Sequence, residues 1–146
     1  MIATQPLNQP NVTYPAYTVY PPSILMIENN SSPSKLKQRL DQNNYQVTWT
    51  NFCNDGLKLA RWVDFDLILF NLSDCETHFI EMCHQLLTDP QLTKTPIVLI
   101  SSCPQLALTM NTLRSAPVYY LPNDALAETK LLRIVDQIHY LSYRYS

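Results

Sequence analysis

The stretch DLILFNLSD, residues 66 to 74, decides the fold. Its four apolar residues from Leu67 to Phe70 follow one another without a polar residue between them, which is typical of a parallel strand covered on both faces. The run ends at Asn71, where a polar loop begins. In open α/β sheets the functional crevice lies outside the carboxyl ends of the strands, and a catalytic carboxylate often stands there. An amide at position 71 therefore raises the question of what this crevice does.

Short apolar stretches alternate with amphipathic ones on both sides of this strand. The other predicted strands are residues 23–29, 45–51, 95–102 and 116–123. The predicted helices are residues 31–44, 54–63, 74–89, 104–115 and 125–143. In the first helix, Ser32 is the expected cap and Pro33 the first helical residue. Five β–α units in this order predict an α/β fold, a doubly wound parallel sheet with helices on both faces.

The chain divides into a tail and one domain. Its 146 residues are 46% apolar, which suits a single domain with a buried core. Residues 1–22 contain five prolines and no charged side chain, so we expect neither a helix nor a signal peptide there. This segment is either a flexible tail or a tyrosine- and proline-rich docking segment. We place the domain at residues 23–146.

The composition argues against several classes of protein. The net charge is −2 and no basic stripe of a nucleic-acid binder is present. No stretch reaches the ~18 apolar residues that cross a membrane. The single glycine, Gly56, excludes glycine-rich phosphate loops, and the four cysteines form no CxxC pair. We therefore expect a cytoplasmic protein with reduced thiols and without a cofactor, a nucleic-acid partner or membrane insertion.

Five motifs occur in the order and spacing of one known family. They are ILMIEN, NDGLKLA, DLILFN, PIVLISS and, more loosely, APVYYLPN. With these motifs the chain resembles the receiver domain of two-component response regulators over roughly residues 23–143. The resemblance implies a (βα)5 flavodoxin-like three-layer sandwich with parallel strand order 2-1-3-4-5.

The resemblance also implies a phosphoryl-accepting crevice, from which this chain departs. The family's phosphoacceptor aspartate matches Asn71, a neutral amide that is no nucleophile. The acidic pair that helps to hold Mg²⁺ matches Glu28 and Asn29, so one carboxylate remains where the cation prefers several. The family's lysine matches Pro122, which has no side-chain donor, and the loop after Asn71 lacks the family's proline and glycine. These departures predict a pseudo-receiver without a catalytic residue or a metal.

Two positions keep the residue type of the family. Ser101 matches the hydroxyl that grips the phosphoryl group, and Tyr119 matches the aromatic residue that swings between an outward and an inward rotamer. Both also suit a structural role, Ser101 as a strand-end hydroxyl bonded to backbone and Tyr119 as an amphipathic ring at a sheet edge. The residues alone leave both alternatives open.

Other candidate clusters have a weaker basis. Four potential zinc ligands lie on one predicted helix, but they point in different directions, so we expect core cysteines and surface histidines; they are Cys75, His78, Cys83 and His84. Asp74 is a poor substitute phosphoacceptor, because the lysine and the Mg²⁺ ligands are still missing.

Three functions remain open. The first is a phosphorylation-independent interaction module that contacts a signalling kinase, a regulator, an effector or a second copy, since no output domain is expected after the last helix. The resemblance places the interaction face on the fourth helix, the fifth strand and the last helix, with the candidates Leu113, Arg114, Tyr120, Lys130, Tyr140 and Tyr143. The second is a small-ligand sensor that uses the crevice at Asn29, Asn71 and Ser101. The third is a receiver with residual phosphoryl acceptance.

Overall fold

The structure, a computed structural model, contains one five-stranded parallel sheet with helices on both faces. It describes residues 20–51, 54–72, 77–102 and 117–145. The strands are β1 (Ser23–Glu28), β2 (Gln46–Asn51), β3 (Leu67–Asn71), β4 (Ile97–Ser101) and β5 (Val118–Pro122). The helices are α1 (Lys35–Gln42), α2 (Asn54–Trp62), α3 (Thr77–Thr88) and α4 (Ala127–Tyr145), with a 3-10 turn at Pro90–Leu92. The strand order β2-β1-β3-β4-β5 confirms the predicted α/β, flavodoxin-like fold.

The first helix begins later than its sequence predicts. The N-cap of α1 is Ser34, so the prediction that Ser32 caps the helix and Pro33 opens it is wrong. The reason lies in β1, because the backbone N–H of Ser34 donates to the carboxylate of Glu28 and brings the chain to the end of the sheet before the helix starts. The predicted helix at residues 104–115 lies outside the described residues, as does the tail up to residue 19.

Two apolar clusters cover the two faces of the sheet. One cluster joins the strands to α2 and α3 and includes Ala60, Cys83 and Leu86. The other joins the strands to α1 and α4 and includes Leu40 and Leu131. Almost every residue of β1, β3 and β4 is buried, which confirms that these strands are covered on both faces. None of the helices within the described ranges is long and apolar enough to cross a membrane.

Two features hold α2 close to the sheet. A side chain at Gly56 would bring its Cβ within 3.1 Å of Cδ1 of Ile27, so the glycine allows the close approach of the helix to β1. At the other end, Arg61 donates from Nε and Nη2 to Oδ2 of Asp89, at 2.7 Å each. The other oxygen of Asp89 accepts the N–H of Gln91 at 2.8 Å, and the side chain is only 2% exposed. This ion pair joins α2 to the turn that leads into β4.

Candidate functional site

The carboxyl ends of the strands bring four of the predicted positions to one edge of the sheet. Glu28 and Asn71 are register partners on β1 and β3, and Ser101 and Pro122 are partners on β4 and β5. Successive side chains along a strand alternate between the two faces. By this alternation Glu28 and Asn71 belong to the face of α1 and α4, whereas Ser101 and Pro122 belong to the face of α2 and α3. The predicted site is therefore two groups of residues on opposite faces.

The first group is built around the buried carboxylate of Glu28, which is 0% exposed. Its Oε2 accepts a hydrogen bond from Nδ2 of Asn71 at 2.5 Å. Its Oε1 accepts from Nε1 of Trp49 at 2.7 Å and from the N–H of Ser34 at 3.0 Å. Burial of a carboxylate costs several kcal/mol, which charge-assisted hydrogen bonds and the N-terminus of α1 offset. No ion pair among the described residues involves Glu28, so N–H donors take the place of a cation.

The amide of Asn71 is what makes this arrangement possible. It presents an N–H to Glu28, whereas an aspartate would present a second carboxylate at the same distance. Two carboxylates in contact retain a proton or require a cation between them. The resemblance predicts that Asn71 stands at the position of a nucleophile, and the structure shows that its amide is bonded to Glu28 on the neighbouring strand.

The positions that the resemblance assigns to Mg²⁺ do not fit a divalent cation. Mg²⁺ takes oxygen ligands, and Asn71 turns its N–H groups toward Glu28, the one carboxylate of the three positions. The third position, Asn29, is a half-buried amide. In the ranges that the structure describes, no three histidines, cysteines or acidic residues come together in a way that would hold a metal ion.

The second group centres on Ser101, which is fully buried. Its carbonyl oxygen accepts the hydroxyl of Tyr120 at 2.9 Å and the N–H of Asn123 at 3.2 Å. Tyr119 packs against the cluster of α1 and α4, on the opposite face. The aromatic residue that shares a face with Ser101 is therefore Tyr120. Two tyrosines in succession hide this difference in the sequence, because a shift of one residue exchanges the faces of a strand.

A cleft of about 330 Å³ opens beside Asn71, between the N-termini of α1 and α4. Arg39 and Glu128 face each other across it, with 3.4 Å between Nη1 and Oε2. The Oγ of Ser34 is buried without a hydrogen-bond partner in the described structure. The cleft is lined by Ser34, Lys35, Leu36, Arg39, Asn71, Ile100, Asn123, Asp124, Ala127 and Glu128. Its volume lies at the lower end of the range for small-ligand sites.

The remaining predicted residues are scattered or lie outside the described ranges. Lys130 is exposed on α4, and Tyr140 and Tyr143 belong to the same helix. Burial raises the pKa of the Cys83 thiol to about 12, which is the behaviour of a core cysteine. The positions outside the described residues are Leu113, Arg114, Asp74 and Cys75.

Trp49 is a residue of this site that the strand-end motifs do not predict. Val47 and Trp49 both pack on the face of α1 and α4, and β2 lies directly beside β1. The two-residue spacing of these apolar side chains, taken with the predicted strand order, is a signal that would have placed Trp49 next to Glu28.

No protein-family model matches the chain, and neither does any curated protein. The resemblance to receiver domains therefore stays a prediction that rests on the strand-end motifs, and the structure shows the α/β, flavodoxin-like fold alone. Because one fold hosts many functions, a function for this chain has to be argued from the site.

Proposed function

We propose that this chain is a pseudo-receiver, a receiver-like domain that acts in signal transduction by contact with a protein partner and without phosphorylation. The observation that supports this proposal best is the hydrogen bond from Asn71 to Glu28. It lies where the resemblance expects the phosphoacceptor and its metal. A donor and an acceptor that satisfy each other there leave a closed network in place of a reactive pair.

Phosphoryl transfer depends on a placed nucleophile and on cations that neutralise the developing charge. In this crevice the nucleophile position is an amide, and Glu28 is saturated by N–H donors. Pro122, at the position of the family's lysine, is exposed and has no side-chain donor. The same residues stabilise the fold, because both oxygens of the buried Glu28 carboxylate accept hydrogen bonds. The crevice is accordingly suited to holding one conformation.

The proposed partner surface includes the exposed side of α4. Lys130 and Arg133 are both exposed and lie three residues apart, so they project from the same side of the helix. Two cations at this spacing suit a partner that presents carboxylates, which would steer the encounter and select against basic surfaces. The expected partner is a signalling kinase, a regulator or an effector.

Affinity capture from a lysate of the native cell tests this proposal. We expect the full chain to retain a histidine kinase, a regulator or an effector to the same extent with and without acetyl phosphate and Mg²⁺. The pair Lys130→Glu and Arg133→Glu should abolish retention, whereas Lys94→Glu, an exposed lysine in the turn before β4, should not. Retention that requires the phosphoryl donor, or that survives charge reversal on α4, would contradict the proposal.

The cleft beside Asn71 favours a second candidate, a small-ligand sensor. A buried hydroxyl without a partner, such as Oγ of Ser34, is uncommon in folded proteins, and a bound ligand would satisfy it. Native mass spectrometry of the purified chain tests this function. A bound mass that is lost in Ser34→Ala, which keeps the backbone donor to Glu28, would support the sensor. A chain free of ligand in both forms would oppose it.

A further inference from the structure

The outer side of α2 carries an apolar surface that stays open in the described part of the chain. Trp62 is 86% exposed and its neighbour Val63 is 44% exposed. A groove of about 340 Å³ runs along the helix, lined by Asp55, Lys58, Leu59 and Trp62. These four residues are spaced by three and four, so they share one side of the helix. A tryptophan is among the side chains that bury the most area, and its exposure at a groove is typical of an interaction site.

The chain that precedes the domain leaves it at the same edge as Trp62. The N–H of Ser23 donates to Oδ2 of Asp66 at 2.8 Å, and the N–H of Asp66 donates to the carbonyl of Ser23 at 2.8 Å. Tyr20 is three residues before the first of these residues, and Trp62 is four residues before the second. At no more than ~3.5 Å per residue, both aromatic residues lie within about 10–14 Å of this contact. Tyr20 and Trp62 are therefore both near the same edge of the sheet, and the 19 residues before Tyr20 are enough to reach the groove.

The composition of the tail matches the groove. Residues 1–22 have no charged side chain, and the groove carries one acid and one base, so its net charge is zero. Proline-rich segments favour the polyproline II helix and dock on grooves lined by aromatic residues. An uncharged, proline-containing segment thus has the chemistry that this surface recognises.

The spacing of the tyrosines in the tail fits the length of the groove. Tyr14, Tyr17 and Tyr20 recur every three residues, and Pro15 follows the first as Pro21 follows the last. A polyproline II helix has three residues per turn, so the three rings would lie along one edge of the segment, about 9 Å apart. The eight residues of α2 from one end of the groove to the other, Asp55 to Trp62, span about 10 Å. Successive rings on that edge would reach both ends of the groove.

We propose that residues 13–19 dock on the α2 groove as a polyproline II segment, with Tyr14 and Tyr17 against Leu59 and Trp62. Tyr20, which is 72% exposed, is the residue at which the described chain begins. The tether is short, so the effective concentration of the segment is on the order of millimolar and a weak contact is enough to populate the docked state. The docking uses the face of the sheet opposite α4 and needs no phosphoryl group, so it does not depend on the proposed function.

Solvent protection of the Trp62 indole in the full chain tests this proposal. The two tryptophans give two indole N–H signals in a ¹⁵N spectrum, and Trp62→Phe assigns them. A soluble gadolinium chelate broadens the signals of solvent-exposed groups. If more than half of the molecules are docked, the double change Tyr14→Ser and Tyr17→Ser should make the Trp62 signal broaden roughly twofold faster or more, because the indole is then exposed in every molecule. The Trp49 signal should stay constant, since this indole is bonded to Glu28.

The matched control replaces Val12 and Val19 by serine, two apolar tail residues off the tyrosine edge. This variant should keep Trp62 protected. Equal exposure of Trp62 with and without the tyrosines would overturn the proposal. Protection that rises with protein concentration would assign the groove to a second copy and would also overturn it. Equal loss of protection in the valine variant would show that the tail contacts the groove non-specifically, and would overturn docking through the tyrosine edge.

Discussion

Asn71→Asp would set two carboxylates against each other at the ends of β1 and β3. In the present chain Nδ2 of Asn71 lies 2.5 Å from Oε2 of Glu28. The variant can restore a hydrogen bond by holding one proton between the two groups. Holding that proton at pH 7 on a carboxyl group that titrates near ~4 in the unfolded chain costs at most about 4 kcal/mol, at ~1.4 kcal/mol per pH unit. We therefore expect a loss of about 2–4 kcal/mol in the free energy of unfolding at pH 7.

The loss should depend on pH in one direction. The folded variant binds more protons than the unfolded chain between about pH 4 and its raised folded-state pKa, so its stability falls as pH rises in this window. Below about pH 4 both states are protonated and the difference from the unchanged chain should disappear. Urea unfolding followed by circular dichroism at several pH values measures the effect.

Two controls separate the charge from other effects of the substitution. Asn123→Asp adds the same charge at the exposed side of the same cleft and should change stability by less than about 0.5 kcal/mol. Asn71→Leu removes the donor without adding a charge. The free energy of unfolding that it loses should therefore not change with pH by the ~1.4 kcal/mol per pH unit that the uptake of one proton gives. A small loss in Asn71→Asp that does not vary with pH would show that Asn71 and Glu28 are not in contact.

Further expectations concern the donors, an ion pair and a thiol. Trp49→Phe removes a donor to the buried carboxylate and should cost about 2 kcal/mol in urea unfolding, whereas Trp62→Phe on the surface should cost little. Asp89→Ala removes the carboxylate that pairs with Arg61. We expect a loss of about 2–3 kcal/mol by the same assay, below the full penalty of a buried pair because the side chain of Arg61 is 44% exposed; a loss under about 1 kcal/mol would speak against the tie between α2 and the turn. Cys83 should resist alkylation in the folded chain at pH 8 and react in denaturant, as read by peptide mass. Because burial raises the pKa of the Cys83 thiol from 9.0 to about 12, stability should fall as pH rises above about 9. Rapid native labelling of Cys83 would contradict its burial.

The architecture is readable from the sequence because its central strands carry a strong signal. A run such as Ile24 to Ile27 has no polar alternation, and burial on both faces of a parallel sheet is the arrangement that such a run satisfies. Amphipathic helices between these runs leave few alternatives to a doubly wound sheet. Local features, such as the residue at which a helix begins, are harder to predict from the sequence. Ser34 rather than Ser32 stands at the N-cap of α1, because the backbone N–H of Ser34 donates to the Glu28 carboxylate at the end of β1.

The candidate site could be predicted in position and only partly in contacts. Strand ends meet at one edge in any parallel sheet, so Glu28 and Asn71 were expected to be neighbours. Which side chain donates to which depends on register and on the face of each strand, and one residue of ambiguity decides between Tyr119 and Tyr120. The donor from Trp49 comes from β2, whose alternating burial gives a weaker signal than that of the central strands.

Incubation of the full chain with acetyl phosphate and Mg²⁺, followed by intact-mass measurement, tests the central claim that this crevice takes no phosphoryl group. We expect no mass increase for the unchanged chain. We expect none for Asn71→Asp either, because Asn29 and Pro122 still lack the carboxylate and the cation that the reaction needs. A gain of one phosphoryl group by the unchanged chain, mapped to a strand-end residue, would contradict the pseudo-receiver. Efficient labelling of the variant alone would show that the network around Glu28 does admit the metal.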